Sequence, residues 1–400
     1  MTKFLIKNEN IKRLNTMYGL SKEISTITTP ICIIANNKLN VYLASSANAM
    51  NYSVDIDSYT KGQSVTGEDY FSVSLGEMCS TLLRIAPNSD VEVTVDRSNN
   101  KVSFVNTENK TKVSIKMEVC DLTESEVIES RDFISKEKVN TFTNNIVTVN
   151  VTPDLCKFFD AANKFISRTT EVNAILVNGS TAKYADITAI IEKKLDSEVS
   201  SEDVYIQKSI IDFVKPLIKT GTVSVIFNSE KNKVYVESAE YGFSTIMTLP
   251  EVKFMLPSEE EYNAIIPEDS ECVKVKVAKS ELKNAFDIFA GTFKPENWRV
   301  GQITVNSSKD NLNNNKIHLE HSDYTAECFL DLPVEVISNT ENKDDSKFIL
   351  GSTVVNNILE CAGDEVTITY NSLEATEEHG VGFTIESENL KAVSLKYSEA

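Results

Sequence analysis

No stretch of this 400-residue chain approaches the roughly 18 consecutive apolar residues of a membrane-spanning helix, so none is expected. Tryptophan occurs once and histidine three times. The phosphate loop G-x-x-x-x-G-K-[ST], the dinucleotide loop G-x-G-x-x-G, the nucleophile elbow G-x-S-x-G and the zinc pair H-E-x-x-H are all missing. The cysteines, at 32, 79, 120, 156, 272, 328 and 361, are odd in number and hold no C-x-x-C pair. That is the usage of a reduced cytosolic protein whose thiols serve as small buried hydrophobes. The opening MTKFLIKNENIKRL has no apolar core or small-residue cleavage site, so secretion is not expected. The N-x-[ST] triplets at Asn51, Asn109, Asn150, Asn178 and Asn306 then carry no meaning. Basic residues are also short: 40 Lys and Arg against 59 Asp and Glu leave a net charge of −19. A protein coated in a basic nucleic-acid surface is excluded, although local basic stripes are not.

Two arrangements could suggest metal chemistry. His318 and His321 lie three apart in alternating sequence, which sends them to opposite faces of a strand, away from a shared ion. Asp55 and Asp57 do share a strand face, yet no third carboxylate or catalytic base accompanies them, and a solvated strand face is the plainer reading. Trp298, in ENWRVG, could stack on a base but suits packing near a loop. Nothing here asks for a catalyst, a cofactor or a metal.

What is present is a repeat, and repeats decide the fold before anything else. KFLIKNENIKRLNTMYG from Lys3, VTVNVTPDLCKFFDAANKF from Val147 and VKVKVAKSELKNAFDIF from Val273 each run from a short alternating strand into an amphipathic helix. Between them lie FSVSLGEMCSTLLRIAPNSDVEVTVD from Phe71, VYIQKSIIDFVKPLIKTGTVSVIFN from Val204 and FILGSTVVNNILECAGDEVTITYN from Phe348. Each has a strand, a helix, a Gly or Pro/Asn/Ser break, then another strand. NNKLNVYLASS, DRSNNKVSFVN, SEKNKVYVESA and NNNKIHLEHSD read as polar hairpin turns entering period-two alternation. The unit is strand–helix–strands, six times over, in an α+β chain.

Length and a 41% hydrophobic content allow roughly two to three globular domains. Pairing the units predicts domains at 1–122, 141–257 and 270–397. Between them, DLTESEVIESRDFISKEKVN and PSEEEYNAIIPEDSE are acidic and turn-rich, as linkers tend to be. SNTENKDDSK (338–347) reads as a surface loop.

The helices carry the informative faces. Leu155, Phe158, Phe159, Ala162 and Phe165 follow the spacing of a buried stripe, with Lys157, Lys164 and Arg168 opposite. Ile210, Ile211, Val214, Leu217 and Ile218 face inward in the fourth helix, with Lys208, Lys215, Lys219 and Asp212 outward. The fifth buries Leu282, Ala285, Phe286 and Phe289 and exposes Lys279, Lys283 and Asp287. The first offers Lys12 and Arg13, the second Arg84. The sixth, with Ser352, Thr353, Asn356 and Asn357, has no basic residue. Collectively the helices are slightly positive while the remaining chain is strongly negative.

Over its whole length this pattern resembles the bacterial sliding clamps, the β subunits of DNA polymerase III. LPEVKFMLP (249–257) is similar to the family's apolar–Pro–acidic run between its second and third domains. TTPIC (28–32), SLGEMCSTLLRIAPNSDVEVTVD, FILGSTVVNNILECAGDEVTITYN and the closing LKAVSLKY also resemble family segments. ADITAII (185–191) departs from an Ala–Thr–Asp–Gly–His–Arg–Leu-like stretch. ISTITTP lacks the basic residue often found there, and SLKYSEA replaces a Met–Pro–Met-like tail. A divergent clamp is the natural reading, with a virus as a source consistent with it. The expected location is the cytoplasm, the host's if viral.

The resemblance implies a non-enzymatic processivity factor: a head-to-tail homodimeric ring, helices inside and sheets outside, encircling double-stranded DNA without sequence preference. DNA polymerase and a clamp loader are the implied partners. The DNA-facing residues implied are Lys12, Arg13, Arg84, Lys157, Lys164, Arg168, Lys208, Lys215, Lys219, Lys279 and Lys283. An apolar groove for a partner peptide is implied at Ile191, Leu256, Pro257, Leu350, Val393 and Leu395, and the dimer boundary at Val113, Ile115 and Phe293. The other readings are a β-rich scaffold that never closes a ring and a processivity factor that binds DNA as a monomer.

Overall fold

A computed structural model describes residues 1–24, 30–45, 48–60, 69–118, 123–166, 172–186, 188–220, 223–238, 242–254, 256–293, 301–341, 345–372 and 381–396. The six repeats are all present. The first runs through Thr2–Ile6 (β1), Asn8–Ile24 (α1), Ile31–Ala35 (β2), Lys38–Ala44 (β3) and Ala49–Asp55 (β4), with an added strand Asp57–Thr60 (β5). Asn36 and Asn37, at φ of 51° and 57°, form the two-residue turn joining β2 to β3; asparagine tolerates the left-handed conformation that such hairpins need. The second contains Asp69–Phe71 (β6), Leu75–Ile85 (α2), Val91–Asp96 (β7), Lys101–Asn106 (β8) and Lys112–Lys116 (β9). Ser74 caps α2 by accepting the Glu77 amide.

Helix Glu124–Thr141 (α3) precedes the third repeat, which holds Val147–Val151 (β10), Pro153–Ile166 (α4), Ala174–Gly179 (β11), Thr181–Ala185 (β12) and Ala189–Lys194 (β13). The fourth comprises Ser200–Gln207 (β14), Lys208–Val214 (α5), Val223–Asn228 (β15), Lys233–Ser238 (β16) and Phe243–Thr248 (β17). Its helix tightens to a 3₁₀ turn over Lys215–Thr220, where Pro216 has no N–H for an α-helical bond. Helix Glu259–Ile265 (α6) follows. The fifth repeat has Val273–Ala278 (β18), Lys279–Thr292 (α7), Gln302–Ser308 (β19), a short helix Lys309–Asn313 (α8), Lys316–Ser322 (β20) and Glu327–Pro333 (β21), then an added strand Glu335–Asn339 (β22). The sixth is Asp345–Gly351 (β23), Ser352–Leu359 (α9), Glu365–Tyr370 (β24), Gly382–Ser387 (β25) and Leu390–Leu395 (β26). Among the described residues no helix is long and apolar enough to cross a membrane.

The chain forms two compact units, Met1–Val151 with Phe213–Glu251, and Thr152–Asp212 with Val252–Ala400. The first holds a five-stranded sheet, β5-β1-β7-β8-β9, and an eight-stranded sheet, β10-β15-β16-β17-β4-β3-β2-β6. The second holds a nine-stranded sheet, β14-β11-β12-β13-β26-β25-β24-β18-β22, and a four-stranded one, β21-β20-β19-β23. A rule runs through all four. Apart from the added strands β5 and β22, which flank β1 and β18, each opening strand pairs with a strand of the neighbouring repeat: β1 pairs β7 while β6 pairs β2, β10 pairs β15 while β14 pairs β11, and β18 pairs β24 while β23 pairs β19.

The large sheets are composites. The eight-stranded sheet is joined where β17 runs antiparallel to β4, Phe243 opposite Tyr52. The nine-stranded sheet is joined where β26 runs antiparallel to β13, Val393 opposite Ile190. In both joints the last strand of an even-numbered repeat meets the last strand of an odd-numbered one.

Helix faces pack as their spacing predicts. Leu155, Phe158, Phe159, Ala162 and Phe165 of α4 are buried, as are Ile210, Ile211, Val214, Leu217 and Ile218 and, on α7, Leu282, Ala285, Phe286 and Phe289. Each buried Phe or Leu side chain contributes about 1.5–3 kcal/mol by leaving water.

The stretches expected to be turn-rich linkers differ. Residues 124–141 are helical because the sheet's second face offers α3 a surface. Ile134 and Phe142 pack with Ala49, Tyr235 and Ile246, flanked by Phe133 and Ile226. Lys138 Nζ donates to Tyr235 Oη at 3.2 Å and Glu237 Oε2 at 2.9 Å. In the other stretch α6 starts at a capping box: Ser258 Oγ accepts the Glu261 amide, and the Glu261 carboxylate accepts the Ser258 amide.

Candidate functional site

The cations singled out in the sequence do not share one condition. Lys12, Arg84, Lys157 and Lys215 are exposed, and Arg13 is half-buried. Lys164 reaches across from α4 to pair with Glu360 beyond α9. Lys208 pairs with Asp212 one turn on. Lys279 Nζ donates to the Ala362 carbonyl at 2.9 Å. Burial, with Lys283 adding repulsion, holds the Lys279 pKa below that of an ordinary lysine. These three are therefore partly spent on holding helices in place. Arg168, the side chain of Lys219, and Trp298 lie outside the described residues. The polar face of α9 is largely internal: Ser352 and Asn357 are buried, and Asn357 Nδ2 has no hydrogen-bond partner among the described residues.

The six groove residues are divided by strand register. Val393 and Leu395 share one face of β26, and Ile190 lies opposite Val393 on that face. Ile191 is opposite Ala392, so it points to the other face, where it is 1% exposed. Ile190, half-buried, shares the face of Val393 and Leu395, whereas Ile191 does not, since a one-residue shift exchanges the faces of a strand; Val393, like Ile191, is 1% exposed. Leu350 is buried in the four-stranded sheet opposite Ile303. Leu256 and Pro257 lie just before the Ser258 cap of α6, with Leu256 exposed and Pro257 half-buried.

Beside this face, the turn before β13 is rigidly built. Asp186 Oδ1 accepts the Thr188 amide at 2.7 Å and the Ala189 amide at 2.8 Å, and Asp186 Oδ2 accepts Tyr184 Oη at 2.6 Å. The Asp of the departing ADITAII stretch keeps a structural role although the residues around it differ.

The dimer-boundary residues lie at different depths. Val113 and Ile115 are on β9, which forms one edge of the five-stranded sheet; both face the helix side, while Lys112, Ser114 and Lys116 point outward and are exposed. Phe293 is buried, its ring stacked on Phe289 at 6.4 Å and edge-on to His321 at 4.4 Å. Burial lowers the His321 pKa below that of a free imidazole, with Asp323 opposing the shift.

A second open edge was not apparent in the sequence. β21 forms one edge of the four-stranded sheet, with Glu327, Phe329, Asp331 and Pro333 exposed on one face and Cys328, Leu330 and Leu332 on the other. Phe329 is 54% exposed and stacks on His318, whose Nδ1 lies 3.1 Å from Asp331 Oδ1. Asp331 Oδ2 also accepts from Lys316 at 2.7 Å. The only available signal was alternation interrupted by Pro333, as edge strands tolerate proline.

His318 and His321 occupy opposite faces of β20. Asp57 is engaged by Lys7 at 2.8 Å. Among the described residues no group of three or more His, Cys, Asp or Glu is placed to hold a metal ion.

No family model and no curated protein matches this sequence. Solved structures do. The DNA polymerase sliding clamp of Pseudomonas aeruginosa is similar at a TM-score of 0.70 with 11% identity, covering 100% of both chains. DNA polymerase III subunit beta of Borrelia burgdorferi, in complex with a natural product, gives 0.68 at 11% identity, again over 100% of both. The Helicobacter pylori beta clamp, bound to a DNA ligase peptide, gives 0.68 at 13% identity with the same coverage.

Proposed function

We propose that this chain, which has the fold of the bacterial sliding clamps, works as one: a processivity factor that closes around duplex DNA and tethers a polymerase. The observation that carries ring closure is internal to the fold. Twice within the chain, the last strand of an even repeat pairs with the last strand of an odd one, as β17 with β4 and β26 with β13. One strand of each kind is left at a sheet edge, β9 and β21. The same pairing between copies would complete the set, and two chains joined twice would close.

The chemistry of the two edges supports it. In the antiparallel register that puts Ser114 opposite Phe329 of a second copy, Lys112 meets Asp331 and Lys116 meets Glu327 on the outer face. Val113 then meets Leu330, and Ile115 meets Cys328, on the helix side. Opposite charges across a strand pair and apolar pairs beneath contribute about 0.2–1 kcal/mol each. Pairing also removes two open edges that otherwise invite aggregation. This reading takes the chain as three domains, near 1–122, 141–257 and 270–397, and the exchange of opening strands between paired repeats supports it.

Such a ring needs no chemistry of its own. Each phosphate neutralised adds salt-dependent affinity, so a dense basic lining would stall sliding, whereas a few cations such as Lys12, Arg84, Lys157 and Lys215 steer the duplex in. Retention is topological and no base is read. The partner peptide would dock at the half-buried Ile190 and Leu395, beside Leu256 and Pro257, where the buried Val393 supports the site from beneath. The polymerase and a clamp loader are the expected owners of such peptides, and the cytoplasm is the expected setting.

The test is native mass by light scattering over a range of concentrations, followed by retention on DNA circles. A species near twice 44.5 kDa that stays on closed circles and leaves when they are linearised is the expected result. A monomer at every concentration overturns the ring.

A further inference from the structure

We infer that α3 and α6 are external braces on the two sheet joints within the chain, an inference that does not depend on the ring reading above.

Each joint carries its cover on one face. On β4, Met50, Tyr52 and Val54 alternate with Ala49, Asn51 and Ser53, and α3 covers the second set: Ala49 packs with Ile134 and Phe142. The same cluster takes Tyr235 and Ile246 from β16 and β17, so α3 straddles the β17–β4 joint. Polar ties fasten it to one side. Lys138 bonds Tyr235 and Glu237, Lys233 Nζ donates to Glu137 Oε1 at 2.5 Å, and Asn228 Nδ2 donates to the Thr141 carbonyl at 2.6 Å.

The second joint has its own cover. Tyr262 of α6 is half-buried with Lys391 of β26 at 5.7 Å from its ring centroid, and Glu192 of β13 and Glu386 of β25 act on its hydroxyl. A Cβ placed on Gly382 of β25 would come within 2.8 Å of the Ile265 carbonyl, so this glycine lets the end of α6 sit directly on the sheet. Lys391, Glu192 and Glu386 lie on one face by register, so α6 sits on β25 and β26 at the β13–β26 joint, with the Glu192 charge of β13 adding to burial in raising the Tyr262 pKa. The corresponding faces of β9 and β21 carry exposed Lys112, Ser114, Lys116, Glu327, Phe329 and Asp331, with no helix over them among the described residues.

The test is hydrogen–deuterium exchange of the full chain, comparing wild type with an Ile134→Ala/Phe142→Ala variant. Amides of 49–55 and 243–248 should exchange at least tenfold faster, while 91–106, in the other sheet of the same unit, stay unchanged. Equal acceleration of both regions, or no acceleration at the joint, overturns the brace. Should the double variant fail to fold, Lys138→Met removes the ties without a cavity, and about threefold faster exchange confined to the joint is expected; unchanged exchange overturns the proposal. Exchange is read in monomer and dimer alike, so a monomeric native mass refutes the ring without touching this result.

Discussion

Phe329→Ala isolates the proposed joint between copies because the side chain does little inside its own chain. It is 54% exposed on the edge strand β21 and touches mainly the His318 ring. An aromatic side chain presents about 150–250 Å², so roughly 100 Å² awaits cover by a partner strand. At about 25 cal/mol per Å², truncation removes about 2 kcal/mol from each joint. A closed dimer makes the joint twice, so about 4 kcal/mol is lost, roughly a thousandfold in the dimer dissociation constant. Sedimentation equilibrium over a wide concentration range measures this directly, and thermal melting of the monomer checks that the fold is kept. A variant that dimerises within threefold of wild type would refute the placement of β21 at the joint. The companion change Asp331→Lys sets like charges against Lys112 in the same register and should weaken association further, with recovery when Lys112→Asp is added.

Reversing Lys12, Lys157 and Lys215 together to Glu should leave native mass unchanged and flatten the salt dependence of DNA binding, by up to about 0.9 in slope for each phosphate no longer neutralised; an unchanged slope removes these residues from the DNA-facing surface. Leu395→Asp, at the half-buried end of β26, should abolish capture of a partner peptide in a fluorescence-anisotropy titration, while Ile191→Val, on the other strand face, leaves it within twofold. For His321 the folded pKa lies below the unfolded value of about 6.5, so its contribution to stability is complete above that pH and is lost as pH falls toward the folded pKa. The slope of urea stability against pH should therefore flatten below about pH 6.5 in His321→Phe, and an unchanged slope would place the titration elsewhere. Ser258→Ala removes the hydroxyl half of the α6 capping box, leaving the residue 258 amide to donate to Glu261, and should cost about 1 kcal/mol in chemical denaturation.

Local pattern made much of the fold legible. The buried stripes of α4, α5 and α7 were readable because three or four large apolar residues recur every two turns. The Asn36–Asn37 turn was readable because few residues accept its backbone. Helix α3 was not, since its anchors Val127, Ile134 and Phe142 fall about two turns apart and make no stripe. Its partner is a sheet face assembled from strands far away in sequence. The basic helix faces were visible as residues, but their engagement was not: whether Lys164 faces solvent or Glu360 depends on α9 lying beside α4.

The β13–β26 pair shows the limit at its finest. An alternating strand declares that neighbouring residues point opposite ways, yet not which of Ile190 and Ile191 joins Val393, because that parity is set by pairing with β26, far along the chain. By itself the sequence determined the six-fold repeat, its strands and helices, and the apolar side of each helix, since these rest on interactions between residues a few positions apart. Tertiary structure alone decided the exchange of opening strands, the composite joints, the helices laid over them, and the placing of β9 and β21 at sheet edges. Those depend on which distant strands find each other, where backbone hydrogen bonds are alike everywhere and only packing against the rest of the chain chooses among them.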